Sequence, residues 1–225
     1  MATMPLPSPT GQPEAALAWF RSEAGLALLG SERELVDGAL ADRPGQPWLW
    51  LAPTLPSPDG PEKRSLGRGL ALEANGRGWS GAVTCGLPLP LPSESFGVAV
   101  LQHVFASASH ATGLLDEVHR VLVPGGHAWL IVLNPMAPYR WRWRGTGLRA
   151  PEPVTWRRQL RAAGLQPDPV SRGLGPIWRE DVSTRVQHGP GLRAAYAIRA
   201  EKRALPLTPM PRRRELRLAQ GAPAA

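Results

Sequence analysis

The stretch LPLPSESFGVAVLQHVFASASHATGLLDEVHRVLVPGGHAWLIVL, residues 89–133, carries the pattern from which the fold is read. Val98 to Leu101 is a short apolar run of strand length, followed by a loop of small and polar residues. Beyond it Leu114, Leu115, Val118, Val121 and Leu122 recur at helical spacing, with Asp116, Glu117, His119 and Arg120 on the opposite face. Pro124, Gly125 and Gly126 then stop the helix and turn the chain into a second apolar strand, Trp129 to Leu133. Strand, helix and strand in that order point to a parallel sheet with helical crossovers.

Working toward the N-terminus, Gly81 to Thr84 reads as a third strand, Gly69 to Gly76 as a second one ending near Glu73, and Trp48 to Leu51 as a first. The first is fully apolar and bounded by Pro47 and Pro53, which suits a buried strand. In Glu14 to Leu40, Leu17, Phe20, Ala24, Leu28, Leu35 and Leu40 recur at near-helical spacing. Ser31 followed by Glu34 has the form of a capping box, so a helix break is expected at Ser31. Trp19 and Phe20 read as the residues that pack this helical element onto the sheet. Toward the C-terminus, Val154 to Ala163 reads as a short helix and Gly191 to Arg203 as a last strand. The domain is expected to span residues 14–203, between a disordered N-terminus, 1–13, and a basic disordered tail, 204–225.

The chain has 225 residues, 43% of them hydrophobic, enough for a full core. No apolar run approaches the roughly 20 residues of a membrane-spanning helix, so no membrane insertion is expected. The single cysteine, Cys85, excludes an internal disulfide and fits a cytoplasmic location. The net charge of +8 is lopsided: residues 139–225 hold 18 of the 26 Lys and Arg but only 6 of the 18 Asp and Glu. Two readings of that charge stand: a nucleic-acid or acidic-partner surface, and a composition rich in Arg, Ala, Gly and Pro. No metal site is expected, because His110, His119, His127 and His188 lack ligand spacing and no cysteines support them.

The segments LPLPSESFG (residues 89–97) and LLDEVHRVLVPGG (residues 114–126) resemble the LP-x-P-x-E-S-F and L-L-x-E-x-x-R-V-L-x-P-G-G patterns of class I S-adenosylmethionine-dependent methyltransferases of the type 11 kind. The Asn134–Pro135 loop, the helix ending in Gly164–Leu165 and the closing AYAIRAEKR run are similar to a bacterial subgroup of that family. The resemblance implies a Rossmann-like, doubly wound sheet, mostly parallel, with an antiparallel final edge strand. It implies S-adenosylmethionine as cofactor, bound beyond the carboxyl ends of the strands.

Carried onto this chain, the resemblance places the cofactor against Ala52, Pro53, Glu73, Cys85, Gly86, Leu87, Gln102 and His103. Glu73 stands where the family has the carboxylate that accepts from the ribose hydroxyls. It places the acceptor, of unknown identity, beside Asn134, Tyr139, Trp141, Arg142 and Trp143, where aromatic and cationic side chains suit a planar or anionic group. Two departures stand out. The family's glycine-rich turn after the first strand is replaced by Ala52, Pro53, Thr54, Leu55 and Pro56, which cannot offer the same turn or donors. Cys85 replaces an aspartate, Gly97 another acid, and Ala106 a glutamate. Two functional readings therefore follow: a methyltransferase with a different cofactor cradle, and an inactive relative that binds partners through its arginine-rich C-terminal surface. His103 has the same duality, as general base or as a structural or cofactor-lining residue; Cys85 reads as a small filler rather than a nucleophile.

Overall fold

The computed structural model describes residues 14–56, 67–105 and 108–203. The expected disordered segments 1–13 and 204–225, part of the loop from Pro53 to Gly60, Ala106 and the side chain of His110 lie outside the described residues. In chain order the elements are α1 (Glu14–Phe20), α2 (Glu23–Leu40), β1 (Trp48–Ala52), β2 (Gly69–Asn75), β3 (Gly78–Gly81), β4 (Phe96–Gln102), α3 (Ala108–Val121), β5 (Leu122–Leu133), a 3-10 helix (Pro138–Trp143), α4 (Pro153–Ala162), β6 (Leu165–Pro167), β7 (Arg172–Leu174), β8 (Gln187–His188) and β9 (Ala195–Lys202).

One sheet runs β3-β2-β1-β4-β5-β9-β7-β8, with β6 also paired to β9. Strands β2, β1, β4 and β5 are mutually parallel. The strands outside them, β3 on one side and β9 with its neighbours on the other, are antiparallel. This is the Rossmann-like sheet that the resemblance implied, with one difference: the antiparallel final strand, β9, is not an edge but lies between β5 and β7, and the edges are β3 and β8. Its central strands read as unbroken apolar runs because helices cover both faces. On one face Leu51, Leu101 and Leu130 meet Leu115 and Val118 of α3 and Trp156 and Leu160 of α4. On the other, Trp50, Val100 and Ile131 meet Leu28, Val36 and Leu40 of α2. Each such leucine or valine, fully removed from water, contributes about 1.5–3 kcal/mol.

The decisive stretch is held together by a device that periodicity alone does not reveal. Glu117 and Arg120 form an ion pair on α3. Arg120 donates to the carbonyls of Leu89 and Leu91 at 3.0 and 2.8 Å, and Glu117 accepts from the Leu89 amide at 2.8 Å. The Glu117 carboxyl is held below the usual range chiefly by the Arg120 hydrogen bonds, which outweigh its burial. The amides of Glu94 and Ser95 cap the last turn of α3 by donating to the carbonyls of Arg120 and Val121. Thus the proline-rich entry to β4 is stapled to the helix that follows it.

Three expectations need correction. The break between the first helices falls at Ser22, whose hydroxyl accepts from the Gly25 amide, and not at Ser31. The corner is tight: a Cβ on Gly25 would stand 2.3 Å from the Trp19 carbonyl. Ser31 lies inside α2, where its hydroxyl donates to the Ala27 carbonyl and accepts from the Ser183 amide. The third strand is β3, Gly78–Gly81, antiparallel to β2; Ala82 to Thr84 bend away, leaving Val83 exposed. Gly76 and Arg77 close a two-residue hairpin that buries Trp79, and a parallel partner would need a crossover of a dozen residues or more. Finally, Pro124 to Gly126 do not precede the strand but lie within β5, which begins at Leu122.

Candidate cofactor cleft and acceptor surface

Ligands of open α/β sheets lie beyond the carboxyl ends of the parallel strands. There, Ala52 at the end of β1 pairs in register with Glu73 of β2. Glu73 is half-buried and its two carboxylate oxygens face different partners: Oε1 accepts from Arg21 at 3.1 Å, and Oε2 from the Leu55 amide at 3.2 Å. Beside it opens a cleft of about 820 Å³ between α1 and the β2–β3 hairpin, lined among others by Leu17, Ala18, Arg21, Glu73, Cys85 and Gly86. The volume is within the range of small-molecule sites, about 300–1,000 Å³.

Three of the expected cofactor residues, Glu73, Cys85 and Gly86, therefore share one cleft. Burial pushes the Cys85 thiol up, away from the thiolate form a nucleophile needs, which agrees with a filler role. Cys85 also exchanges both backbone hydrogen bonds with Trp79, fixing the floor of the cleft. Leu87 packs against the core, and Ala52 and Pro53 are buried and do not line the cleft. The proline-containing turn presents at least one donor after all: the Leu55 amide, which is spent on Glu73.

Gln102 and His103 have a different neighbourhood. Glu32 of α2 is fully buried, and its carboxylate takes a hydrogen bond from Gln102 Nε2 at 2.8 Å and meets His103 Nε2 at 2.8 Å. Gln102 Oε1 accepts from the Trp50 indole at 3.2 Å. His103 is held at φ +49 with its ring stacked on Phe20, centroids 5.0 Å apart. This closed cluster ties α2 to the carboxyl end of β4, and neither residue lines the 820 Å³ cleft. Gln102 instead borders a second, apolar pocket of about 340 Å³ with Leu29, Val36, Trp50 and Leu55. Glu32 was not singled out from sequence, although Leu28, Glu32 and Val36 are spaced by four and so place a carboxylate on the apolar stripe of α2.

The expected acceptor residues divide by burial. Asn134 donates to the carbonyls of Gly191 and Arg193 at 2.9 and 2.8 Å, bracing β5 against the approach to β9. Tyr139 is buried, donates to the Ala24 carbonyl, and is pushed up to about 12 by burial and by nearby Glu180. Trp143 is buried against Trp19 and Tyr139. These three serve packing. Arg142 pairs with Glu180 and its carbonyl accepts from the Trp19 indole at 2.7 Å. Trp141 alone among the five points outward as an aromatic, 60% exposed, with Arg140 and Arg144 at 5.7 and 5.0 Å from its ring centroid.

Comparison with known proteins bears on the fold. Residues 75–130 match the family described as "Methyltransferase domain". No curated protein matches the chain by sequence. Among solved structures, a SAM-dependent methyltransferase from Thermotoga maritima is similar at TM-score 0.55 and 17% identity, covering 83% of this chain and 94% of that one. A methyltransferase in complex with the Trm112 activator from Haloferax volcanii gives 0.52 and 15%, over 84% and 98%. A SAM-dependent methyltransferase from Aquifex aeolicus gives 0.52 and 13%, over 82% and 96%. At these identities the shared feature is the fold. Among the described residues no helix is long and apolar enough to cross a membrane.

Proposed function

From the class I S-adenosylmethionine-dependent methyltransferase fold of this chain, we propose that it transfers a methyl group from S-adenosylmethionine to an acceptor that approaches beside the 3-10 helix. The observation that carries the reading is the position of Glu73, at the carboxyl end of β2 and in the wall of the 820 Å³ cleft, beside Cys85 and Gly86. The residues present fit the adenosine half of the cofactor. An ionised carboxylate has about four lone-pair sites, so Glu73 can accept from ribose hydroxyls while retaining the Leu55 amide. Leu17 and Ala18 supply an apolar wall, and the Thr84 to Gly86 backbone the opposite side.

S-adenosylmethionine, when bound, supplies an electrophilic methyl group on a sulfonium that leaves without protonation. The chain's own task is then to position two partners and exclude water. That explains why the closed Glu32–Gln102–His103 cluster, which offers no open general base, does not count against the activity. Of the expected acceptor residues, Trp141 and Arg142 remain at the surface beside the end of β5. An anionic or planar acceptor suits them. A cytoplasmic location and kinship with the bacterial subgroup belong to the same proposal.

Titration of the full chain with S-adenosylmethionine by calorimetry is the test. Binding is expected, and Glu73→Gln, which keeps the shape and an acceptor for Leu55, is expected to weaken it about tenfold through loss of a charged hydrogen bond. No heat and no thermal shift at millimolar cofactor would refute the reading.

A further inference from the structure

We infer that the exposed surface built on Trp141 binds single-stranded nucleic acid, a base stacking on the indole while neighbouring phosphates pair with Arg140 and Arg144. The argument begins with charge. Residues 139–161 hold seven arginines and one carboxylate, Glu152. Arg142 is paired with Glu180. Among the described residues no carboxylate lies within ion-pair distance of Arg140, Arg144, Arg149, Arg158 or Arg161, and all five are exposed. Five exposed guanidiniums over so short a span, without a carboxylate partner among the described residues, present a surface complementary to repeated negative charge.

Geometry narrows the class of partner. Arg140 and Arg144 lie against the Trp141 ring, and the hollow beside them, about 440 Å³, is floored by Trp143 and Leu148. Trp143 is held by Trp19 and Tyr139, so one wall of the hollow is fixed beside the exposed Trp141 indole. An aromatic face flanked by arginines accepts a base of any sequence by stacking and cation–π contact. In a duplex the bases are already stacked on one another, so a splayed single strand is the form that fits. The basic run also continues past the hollow. Arg149 leads to α4, about 15 Å long, whose exposed Arg158 and Arg161 extend the charge beyond the reach of one nucleotide. A polymer is favoured over a small phosphorylated acceptor for that reason.

This inference shares with the methyl-transfer reading only the placement of an acceptor beside the 3-10 helix, and the two fail separately. The experiment is fluorescence anisotropy of a labelled single-stranded RNA of about twelve nucleotides, with its duplex and poly-glutamate as competitors. The full chain is used throughout, so that the basic residues beyond 203 are common to every variant. Expected are binding that falls steeply between about 50 and 200 mM salt, and preference for the single strand over both competitors. Trp141→Ala, which alters an exposed side chain, is expected to weaken binding about 5- to 100-fold with circular dichroism unchanged. The double variant Arg140→Gln/Arg144→Gln is expected to lower the slope of log K against log salt by about 1.4, or 0.7 per phosphate. Equal competition by duplex or poly-glutamate, or a Trp141→Ala protein that binds like the parent, would overturn the inference. A chain that binds the RNA yet takes no heat from S-adenosylmethionine would keep it and lose the methyl-transfer reading.

Discussion

Glu32 has no exposed surface, and its carboxylate is shared by Gln102 and His103 at the end of β4. Removing one member of a buried charged network strands the others without water, which costs about 3–5 kcal/mol. Glu32→Ala is therefore expected to lower the urea midpoint markedly and the melting temperature by about 6–20 °C, since 1 kcal/mol corresponds to about 2–4 °C at this size. A loss under about 1 kcal/mol would mean that the cluster is not the tie between α2 and β4. Gly97 makes a second case. A Cβ there would meet the Gln46 side chain at 2.6 Å and closer, while the Gly97 amide donates to the Pro47 carbonyl at 2.8 Å. This packing accounts for glycine where the resemblance led us to expect an acid. Gly97→Asp is expected to cost about 1–3 kcal/mol through overpacking, read as a lower chemical-denaturation midpoint at unchanged m value.

At the scale of elements, α1 lies by the carboxyl edge of the sheet and is pinned at its C-terminal end. Trp19 reaches the 3-10 helix after β5, Phe20 stacks on His103 after β4, and Arg21 meets Glu73 of β2. The Arg21–Glu73 pair is largely exposed on the arginine side, so its loss changes stability by less than about 1 kcal/mol. It does, however, occupy an oxygen assigned to the ribose. Arg21→Ala is expected to tighten S-adenosylmethionine binding a few-fold with little change in melting temperature; weaker binding would instead make Arg21 a cofactor ligand. The helical character of Leu17, Phe20 and Leu28 was legible from spacing, as were β1, β4, α3 and the apolar core of β5. The place where the first helix breaks was not, because Ser31 followed by Glu34 has the local form of a cap while Ser22 lacks a Glu or Gln three residues on. The corner at Ser22 instead depends on Gly25, which has no Cβ to meet the Trp19 carbonyl. The β2–β3 hairpin was not legible for a different reason: its two loop residues are Gly76 and Arg77, with Asn75 already a strand residue paired to Gly78, so the Asn-Gly or Asp-Gly pair that marks a tight hairpin is not at the turn's centre. For the proposed site, the position of Glu73 near the end of β2 followed from the strand reading, whereas Glu32, the α2 partner of Gln102 and His103, lies some seventy residues away and leaves no local mark.

Over the whole molecule, the amino ends of the strands carry a second polar network, remote in register from Glu73, which makes stability depend on pH. His127 of β5 hydrogen-bonds Asp42, just past α2, at 2.7 Å; Arg199 of β9 lies 2.9 Å from the same ring and also meets Asp42; Arg43 approaches the ring and donates to the Gly125 carbonyl. Burial and then Arg199 hold the imidazole below its ordinary value, against the pull of Asp42. Burial raises Asp42, but the hydrogen bond and charge of His127, with Arg199, bring it below the ordinary carboxylate value. These two directions compete, since a charged imidazole would favour an ionised Asp42. With two guanidiniums against the ring, the neutral imidazole is the better description near neutral pH, its Nδ1–H donating to Asp42. The sign follows from proton counting: below about pH 6.5 the unfolded chain takes up a proton on His127 before the folded chain does, so acidification favours unfolding. Asp42 acts in the same sense at lower pH, its stabilisation being lost as pH falls through the carboxylate range. His119, lowered by burial and by Lys202, adds to the histidine contribution. The urea midpoint is therefore expected to fall from about pH 7.5 to 5.5, each histidine supplying at most about 1.4 kcal/mol per pH unit. His127→Gln should flatten that dependence while leaving the part due to His119. A midpoint that instead rises on acidification would show His127 to be charged in the fold and Asp42, not Arg199, to govern it.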